Sequence, residues 1–205
     1  MPTYKVVVQR NTLRFAAAHF ATFGGDAEPL HGHNYDLMVE VEGQLTSDAW
    51  VLDFGELKAL GAALCHGLDH RFLLPGDNAS LSIGDLGDAW QVAFGDRRYV
   101  MPKTDVCVLP IDNSTAERLA EWFCARLAAA LSSRPNLTSI TVGVEEAPGQ
   151  AGWSWARTSA SSDSSQPCSA DQMPPTTNRP IGPTMKRNSR IATGPIITDQ
   201  TLAGR

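Results

Sequence analysis

Residues 30–43, LHGHNYDLMVEVEG, decide the fold because their side chains alternate in character along one long segment. Such a period of two predicts a strand that has one face on a core. It also directs two imidazoles to the same face as the apolar residues. The inward set is His31, His33, Tyr35, Leu37, Val39 and Val41, and the outward set includes Asn34, Asp36, Glu40 and Glu42.

The preceding residues 3–23 alternate in the same way and predict extended structure with a turn at Arg10 and Asn11. If this segment pairs with residues 31–43 as an antiparallel hairpin, three histidines converge. The inward residues on the earlier segment are Val6 and Val8 and, after the turn, Leu13, Phe15, Ala17 and His19.

Two helices are predicted from capping signals and apolar stripes. Asp53 followed by Glu56 indicates the start of the first helix. Ser114 followed by Glu117 forms a capping box that indicates the start of the second.

Residues 89–109 separate the helices and contain the apolar runs WQVAF and VCVLPI, which predict an inserted β-hairpin. The last predicted strand is TSITVGVEE, where an apolar row ends at Glu146. This order of elements predicts an α+β fold with an antiparallel sheet.

Composition divides the chain into a domain over residues 1–155 and a disordered tail over 156–205. The tail has no aromatic residue and a net charge of +3, whereas the whole chain carries −5. The acidic domain argues against nucleic acid as a partner. No apolar run reaches the roughly 18 residues of a membrane span, and the N-terminus lacks a signal-peptide pattern. We therefore expect no membrane partner and a cytoplasmic protein.

Three histidines on inward strand faces indicate a metal site. Three nitrogen ligands without a fourth protein ligand leave an open position, which is typical of catalytic zinc. Iron, nickel or cobalt would also suit this donor set. The alternative is that His19, His31 and His33 are satisfied core or exposed strand residues, which describes a lone histidine better than this cluster.

Asp69 and His70 follow the first predicted helix, and the carboxylate could orient a general acid or base. A structural role at the helix C-terminus is the alternative. Glu146 needs a partner if it is buried, and the guanidine-like edge of a heterocycle would supply one. A salt bridge or an exposed strand end is the other interpretation of Glu146.

The segments FAAAHF, LHGHNYDLMVEVEG, VLDFGELK, LDHRFL, NSTAERLAEW and VGVEEAPG resemble the 6-pyruvoyl- and 6-carboxytetrahydropterin synthase family. The resemblance covers about Tyr4 to Trp155. It implies the T-fold, an antiparallel sheet with two helices on one face, assembled as trimers that stack into hexamers with active sites between subunits. It also implies a dihydropterin substrate, zinc ligands His19, His31 and His33, a proton relay of Asp69 and His70, and ring-binding Thr115 and Glu146.

The chain departs from the family pattern just before HGH. Family members that make 6-carboxy- or 6-pyruvoyl-tetrahydropterin have a catalytic cysteine there, whereas this chain has Ala27 and Glu28. The pattern Glu-x-x-His-Gly-His resembles a subgroup that cleaves dihydroneopterin compounds to 6-hydroxymethyl-7,8-dihydropterin. A carboxylate is a competent base but a poorer nucleophile than a thiolate, so a changed product is chemically reasonable.

The expected function is that of a zinc-dependent lyase acting on 7,8-dihydroneopterin or its triphosphate for folate-type cofactor synthesis, with Glu28 and His70 as the acid/base pair. One alternative is a 6-carboxy-5,6,7,8-tetrahydropterin synthase in 7-deazapurine (queuosine) synthesis. A second alternative is a non-catalytic family member that binds pterin or metal. The inserted hairpin is interpreted as a surface elaboration, with a cap on the site or an assembly interface as the alternatives.

Overall fold

The computed structural model describes residues 2–158 of the chain. The predicted tail therefore lies outside the described residues, apart from 156–158. Among the described residues, no helix is long and apolar enough to cross a membrane.

Strands make up about half of the described residues, and two α-helices, α1 (Phe54–Leu68) and α2 (Ala116–Ala130), interrupt them. The strands are, in chain order, β1 (Tyr4–His19), β2 (Thr22–Phe23), β3 (Asp26–Ala27), β4 (His31–Gly43), β5 (Arg71–Pro75), β6 (Ser82–Asp85), β7 (Ala89–Phe94), β8 (Arg97–Pro102), β9 (Val106–Leu109), β10 (Leu137–Ala147) and β11 (Gln150–Arg157).

The main sheet has six strands in the order β11-β10-β4-β1-β5-β9. The predicted antiparallel pairing of β1 with β4 is confirmed, and β10 pairs antiparallel with both β4 and β11. However, β5 pairs parallel with β1 and with β9, so the sheet is mixed. The parallel pairs are possible because α1 and the chain between β5 and β9 supply the long connections that parallel strands require.

The turn predicted at Arg10 and Asn11 is wrong, because β1 continues through these positions. Its register against β4 instead shifts between Gln9 and Arg14, where extra residues form a bulge. A bulge changes which residues face the core without ending the strand. This explains why the inward set passes from even to odd numbers along β1.

The helix starts agree only partly with the capping predictions. The side chain of Asp53 accepts a hydrogen bond from the Glu56 N–H at 2.9 Å, which confirms the predicted start of α1. The capping box at Ser114 is wrong because Thr115 caps α2. The Ser114 hydroxyl instead donates to the Phe20 carbonyl oxygen at 2.9 Å, so it joins the end of β1 to the entrance of α2.

Both helices pack on one face of the main sheet and bury the apolar rows of its central strands. The predicted alternation is confirmed on β1, β4 and β10. The residues of this core include Leu13, Phe15, Tyr35, Leu37, Val39, Leu57, Phe123, Leu127, Ile140, Val142 and Val144. The predicted histidines continue the rows of β1 and β4 to the end of the sheet.

The predicted insertion is organised differently from a hairpin over residues 89–109. Strands β6, β7 and β8 form a separate antiparallel sheet, called here the insert sheet. The run VCVLPI instead contributes β9 to the main sheet, because its backbone pairs with β5. A second core, the insert core, lies between these parts and consists of Phe20, Ala27, Phe72, Leu74, Val92 and Val106.

The structure also adds β11 after the last predicted strand. β11 runs antiparallel to β10 and ends at Arg157, two residues beyond the predicted domain boundary. A tight turn at Gly149, whose φ is +81°, joins the two strands.

Candidate active site

The three predicted histidines meet where β1 ends and β4 begins. His19 lies opposite His31 in the strand register, and His33 lies opposite Ala17, two residues earlier on β1. One ligand atom from each histidine lies within 4.8 Å of the other two. The side-chain period of two and the antiparallel register therefore place three imidazoles around one point.

Backbone carbonyl groups set the orientation of two of these imidazoles. His19 Nδ1 lies 2.8 Å from the Ser114 oxygen, and His31 Nδ1 lies 2.8 Å from the Pro29 oxygen. A carbonyl oxygen can only accept, so in the neutral form of each ring the proton is on Nδ1 and the lone pair is on Nε2. This is how metal-binding histidines are commonly held.

Burial favours the neutral, metal-binding form of His19 and His33. His19 is only 2% exposed, and burial lowers its pKa to about 4. Burial also lowers the pKa of His33, and the nearby His31 acts in the same direction. His19 Nε2 is buried without a hydrogen-bond partner among the described residues, so its lone pair is available to a cation. The donor set therefore fits zinc.

A cleft of about 390 Å³, called here the site cleft, opens beside the histidines. It brings together three more residues singled out in the sequence. Glu28 comes from the loop between β3 and β4, Thr115 from the cap of α2, and Glu146 from the end of β10. The other lining residues are His19, Ala21, His31, Ala116, Glu117, Gln150, Ala151 and Gly152.

Glu28 is tied to the chain that leaves β1. The Ala21 N–H donates to Glu28 Oε2 at 3.1 Å, and the Glu28 N–H donates to the Ala21 oxygen at 2.9 Å. These reciprocal bonds keep the carboxylate beside the histidines. The other oxygen, Oε1, has no hydrogen bond to the described residues.

Glu146 has an unpartnered carboxylate oxygen in the site cleft. Its Oε1 is buried without a hydrogen-bond partner in residues 2–158, and no salt bridge to it occurs there. Burial raises the pKa of Glu146, and the nearby charge of Glu28 acts in the same direction. A buried acceptor of this kind favours a ligand that donates hydrogen bonds.

Asp69 and His70 form the predicted pair but do not line the site cleft of their own chain. Asp69 Oδ2 lies 2.8 Å from His70 Nδ1, while Oδ1 accepts from the Ala16 N–H at 2.8 Å. These bonds, led by that from Ala16, lower the pKa of Asp69. The His70 side chain is 82% exposed, and its backbone has a φ of +57°, which is strained for a residue other than glycine.

The alternation in the sequence places Tyr35 on the inward face but indicates no role for it. Its ring packs 5.9 Å from His19 and 5.5 Å from His33, measured between ring centroids. The hydroxyl is buried without a partner among the described residues, and burial raises its pKa, as does the charge of Glu146. Tyr35 therefore has a protonated hydroxyl, and its ring lies next to His19 and His33. Its place after HGHN in the alternating row was the available signal.

Comparison with known proteins identifies the family. Residues 8–156 match the family described as 6-pyruvoyl tetrahydropterin synthase. The protein belongs to this family. This membership confirms the resemblance drawn from the sequence motifs and makes the chain a member of a tetrahydropterin synthase-like group of enzymes.

Individual relatives agree with this membership. A Methanocaldococcus jannaschii protein, provisionally named 6-carboxy-5,6,7,8-tetrahydropterin synthase, is 30% identical over 141 residues, which are 67% of this chain and 86% of the relative. The 6-pyruvoyl tetrahydropterin synthase of Plasmodium vivax superposes with a TM-score of 0.73 at 29% identity, covering 77% of this chain and 99% of the relative. These neighbours confirm the predicted T-fold.

The Plasmodium vivax protein has also been solved as two variants of a catalytic residue, in which glutamate is replaced by alanine or by cysteine. Each variant superposes with a TM-score of 0.72 at 28% identity, covering 77% of this chain and 99% of that chain.

Proposed function

We propose that this protein is a zinc-dependent lyase that cleaves the C6 side chain of 7,8-dihydroneopterin or its triphosphate. The product would be 6-hydroxymethyl-7,8-dihydropterin, a precursor of folate-type cofactors. The observation that carries this proposal is the carboxylate of Glu28, which lines the site cleft together with His19, His31 and Glu146, where no cysteine is among the lining residues.

His19, His31 and His33 would hold the metal through neutral imidazole nitrogens. When bound, zinc would act as a Lewis acid that lowers the pKa of the substrate's side-chain hydroxyl groups. The carbonyl groups of Ser114 and Pro29 would keep two of the rings in the required tautomer.

Glu146 would bind the ring of the substrate. The guanidine-like edge of a pterin carries N–H donors, and the buried Oε1 of Glu146 lacks a donor among the described residues. Pairing these groups would supply the charge-assisted hydrogen bond that the protein itself does not provide. Thr115, which also lines the site cleft, would add a hydroxyl and a backbone contact.

Glu28 would act as the base. It would accept the proton of the second side-chain hydroxyl as the bond between the first and second side-chain carbons breaks. The second carbon leaves as part of an aldehyde, the electron pair passes into the ring system, and the first carbon then takes up a proton. The catalytic glutamate of the Plasmodium vivax relative supports this role, because Glu28 is a glutamate that lines the site cleft with His19 and His31 and keeps one oxygen free of hydrogen bonds to the described residues.

Asp69 and His70 would serve the site of a neighbouring subunit. The pair is pre-oriented by its own hydrogen bonds, yet His70 is exposed and lies outside the site cleft of its own chain. Self-association into trimers or hexamers would bring the imidazole to a second copy's substrate. The proposal therefore requires an oligomer for activity.

The alternative product, 6-carboxy-5,6,7,8-tetrahydropterin, is favoured by the provisional name of the Methanocaldococcus jannaschii relative. It would serve 7-deazapurine synthesis. The two functions differ in the product formed from dihydroneopterin triphosphate, so they are separated by product analysis.

The test is to incubate the zinc-loaded protein with 7,8-dihydroneopterin and, separately, with its triphosphate, and to identify the pterin products by mass spectrometry. We expect 6-hydroxymethyl-7,8-dihydropterin, and its loss in Glu28→Gln. Glu117→Gln is the matched control, because it removes another carboxylate that lines the site cleft.

Formation of 6-carboxytetrahydropterin would establish the alternative function. If the wild-type protein binds pterin and zinc but converts neither compound, the lyase proposal is wrong and a non-catalytic binding role replaces it.

A further inference from the structure

We propose that Arg97 of the insert sheet is a positioning residue that holds the Glu28 loop in its reactive geometry. This inference rests on the proposed role of Glu28 as the base. It gives the insertion a function in the site, in place of the surface elaboration expected from the sequence.

The guanidinium group of Arg97 joins the insert sheet to the segment that carries Glu28. Its Nη1 donates to the Glu28 backbone oxygen at 2.8 Å, and its Nη2 donates to Asp26 Oδ1 at 2.9 Å. The planar, forked donor set of arginine allows both bonds at once. Arg97 thus forms hydrogen bonds with the loop at two positions that are two residues apart.

The two hydrogen bonds from Arg97 do not involve the Glu28 carboxylate, which stays free for chemistry. Arg97 bonds the backbone of Glu28, while the side chain bonds the Ala21 N–H and faces the site cleft. Arg97 is not among the residues that line the site cleft. Its action on the reaction would therefore pass through the position of Glu28.

The same short loop also orients a candidate metal ligand. The next carbonyl group along the chain, that of Pro29, accepts the Nδ1 proton of His31. Consecutive carbonyl groups are thus held by Arg97 and by His31. Movement of this loop would shift both the base and the imidazole.

Packing of β8 against the insert core holds Arg97 in place. Arg97, Tyr99 and Met101 share one parity on β8, and the last two pack against the insert core. The Tyr99 ring stacks on Phe20, the residue after His19, with 5.5 Å between ring centroids. On the loop side, Ala27 is only 4% exposed within the insert core. Both ends of the contact therefore belong to one packed unit.

The experiment compares Arg97→Ala, Arg97→Lys and Arg98→Ala in the full-length, zinc-loaded protein. Arg98 is the matched control because it is the adjacent arginine, is exposed, and its side chain has no hydrogen bond or salt bridge to residues 2–158. The readouts are kcat and KM for the pterin substrate, amide hydrogen exchange over residues 20–30, and the thermal midpoint.

For Arg97→Ala we expect kcat to fall on the order of 10- to 100-fold with KM changed less than about threefold, because small misplacement of a catalytic group slows chemistry. The Glu28 amide should exchange roughly tenfold faster or more, since a charged hydrogen bond no longer restrains the loop. Arg97→Lys should recover part of both effects, because an ammonium group retains the charge but not the fork. Arg98→Ala should behave as wild type.

Equal kinetics and equal exchange in Arg97→Ala and Arg98→Ala would overturn the proposal. A fall in kcat that only parallels a lower thermal midpoint, without faster exchange at residues 20–30, would also overturn it. If the wild-type protein turns over neither pterin, the proposed function fails, while hydrogen exchange still decides whether Arg97 restrains the loop.

Discussion

Replacing Gly152 with alanine tests how closely β11 packs on the start of α2, at a wall of the site cleft. A Cβ added at this glycine would lie 2.5 Å from the Ala116 carbonyl carbon and 2.8 Å from the Glu117 Cα. Both neighbours are backbone atoms, which cannot rotate away as a flexible side chain does. The helix start and the strand must therefore move apart.

Forced overpacking of this kind costs about 1–3 kcal/mol of the free energy of unfolding. The matched control is Gly67→Ala. Gly67 lies in α1, is exposed, and would have no atom within 4 Å of an added Cβ. Alanine there should raise the free energy of unfolding by about 0.5–1 kcal/mol, because it restricts the unfolded chain and favours the helix.

Urea unfolding followed by circular dichroism measures both changes at one fixed protein concentration, since assembly contributes to apparent stability. With a typical slope of about 2 kcal/mol per molar urea, a loss of about 2 kcal/mol lowers the Gly152→Ala midpoint by roughly 1 M. Gly67→Ala should move the midpoint upward. A Gly152→Ala midpoint equal to or above that of wild type would refute the proposed close packing between β11 and α2.

Two further predictions concern the acids and the histidines of the site. Burial raises the pKa of Glu146, so this residue contributes to stability in acid, and the contribution is lost as pH rises through the folded-state pKa. Glu146→Gln should therefore stabilise the ligand-free protein at neutral pH and weaken pterin binding. The stability advantage of the variant should disappear as pH falls. Urea midpoints measured from about pH 3, which is below the ordinary carboxyl pKa, to about pH 8 check this. A pH-independent difference would contradict it. Removing metal with a chelator should lower the thermal midpoint of the wild-type protein, and adding zinc should restore it, because a ligand at 100 times its Kd stabilises by about 2.7 kcal/mol. The thermal midpoint of His19→Ala should not respond to chelator or zinc. A wild-type midpoint that does not respond would argue against the metal site.

Local patterns in the sequence were sufficient for several features of the fold and site. The alternation from His31 to Val41 correctly assigned the inward face of β4, because a strand directs every second side chain to the same side. The capping pair of Asp53 and Glu56 located the start of α1 for an equally local reason. The order of the motifs along the chain also identified the family, because these motifs contain residues of both the candidate site and the core.

Contacts between distant segments required the tertiary structure. The runs WQVAF and VCVLPI look alike in sequence, yet β7 joins the insert sheet and β9 joins the main sheet. Their partners depend on backbone pairing across the whole chain, which a period of two does not specify. The same limit applies to the hydrogen bond from Arg97 to the Glu28 backbone oxygen, because these residues are 69 positions apart in the sequence.

The sequence by itself predicted which side chains are suited to the chemistry, and it assigned His19, His31 and His33 to inward strand faces, because these properties depend on residue type and local periodicity. Only the tertiary structure decided that Glu28, Glu146, His19 and His31 line one cleft, while Asp69 and His70 lie outside it. That difference follows from packing. Strand order, the β1 bulge and the two separate cores determine which faces meet, and these depend on the free energy of the whole fold.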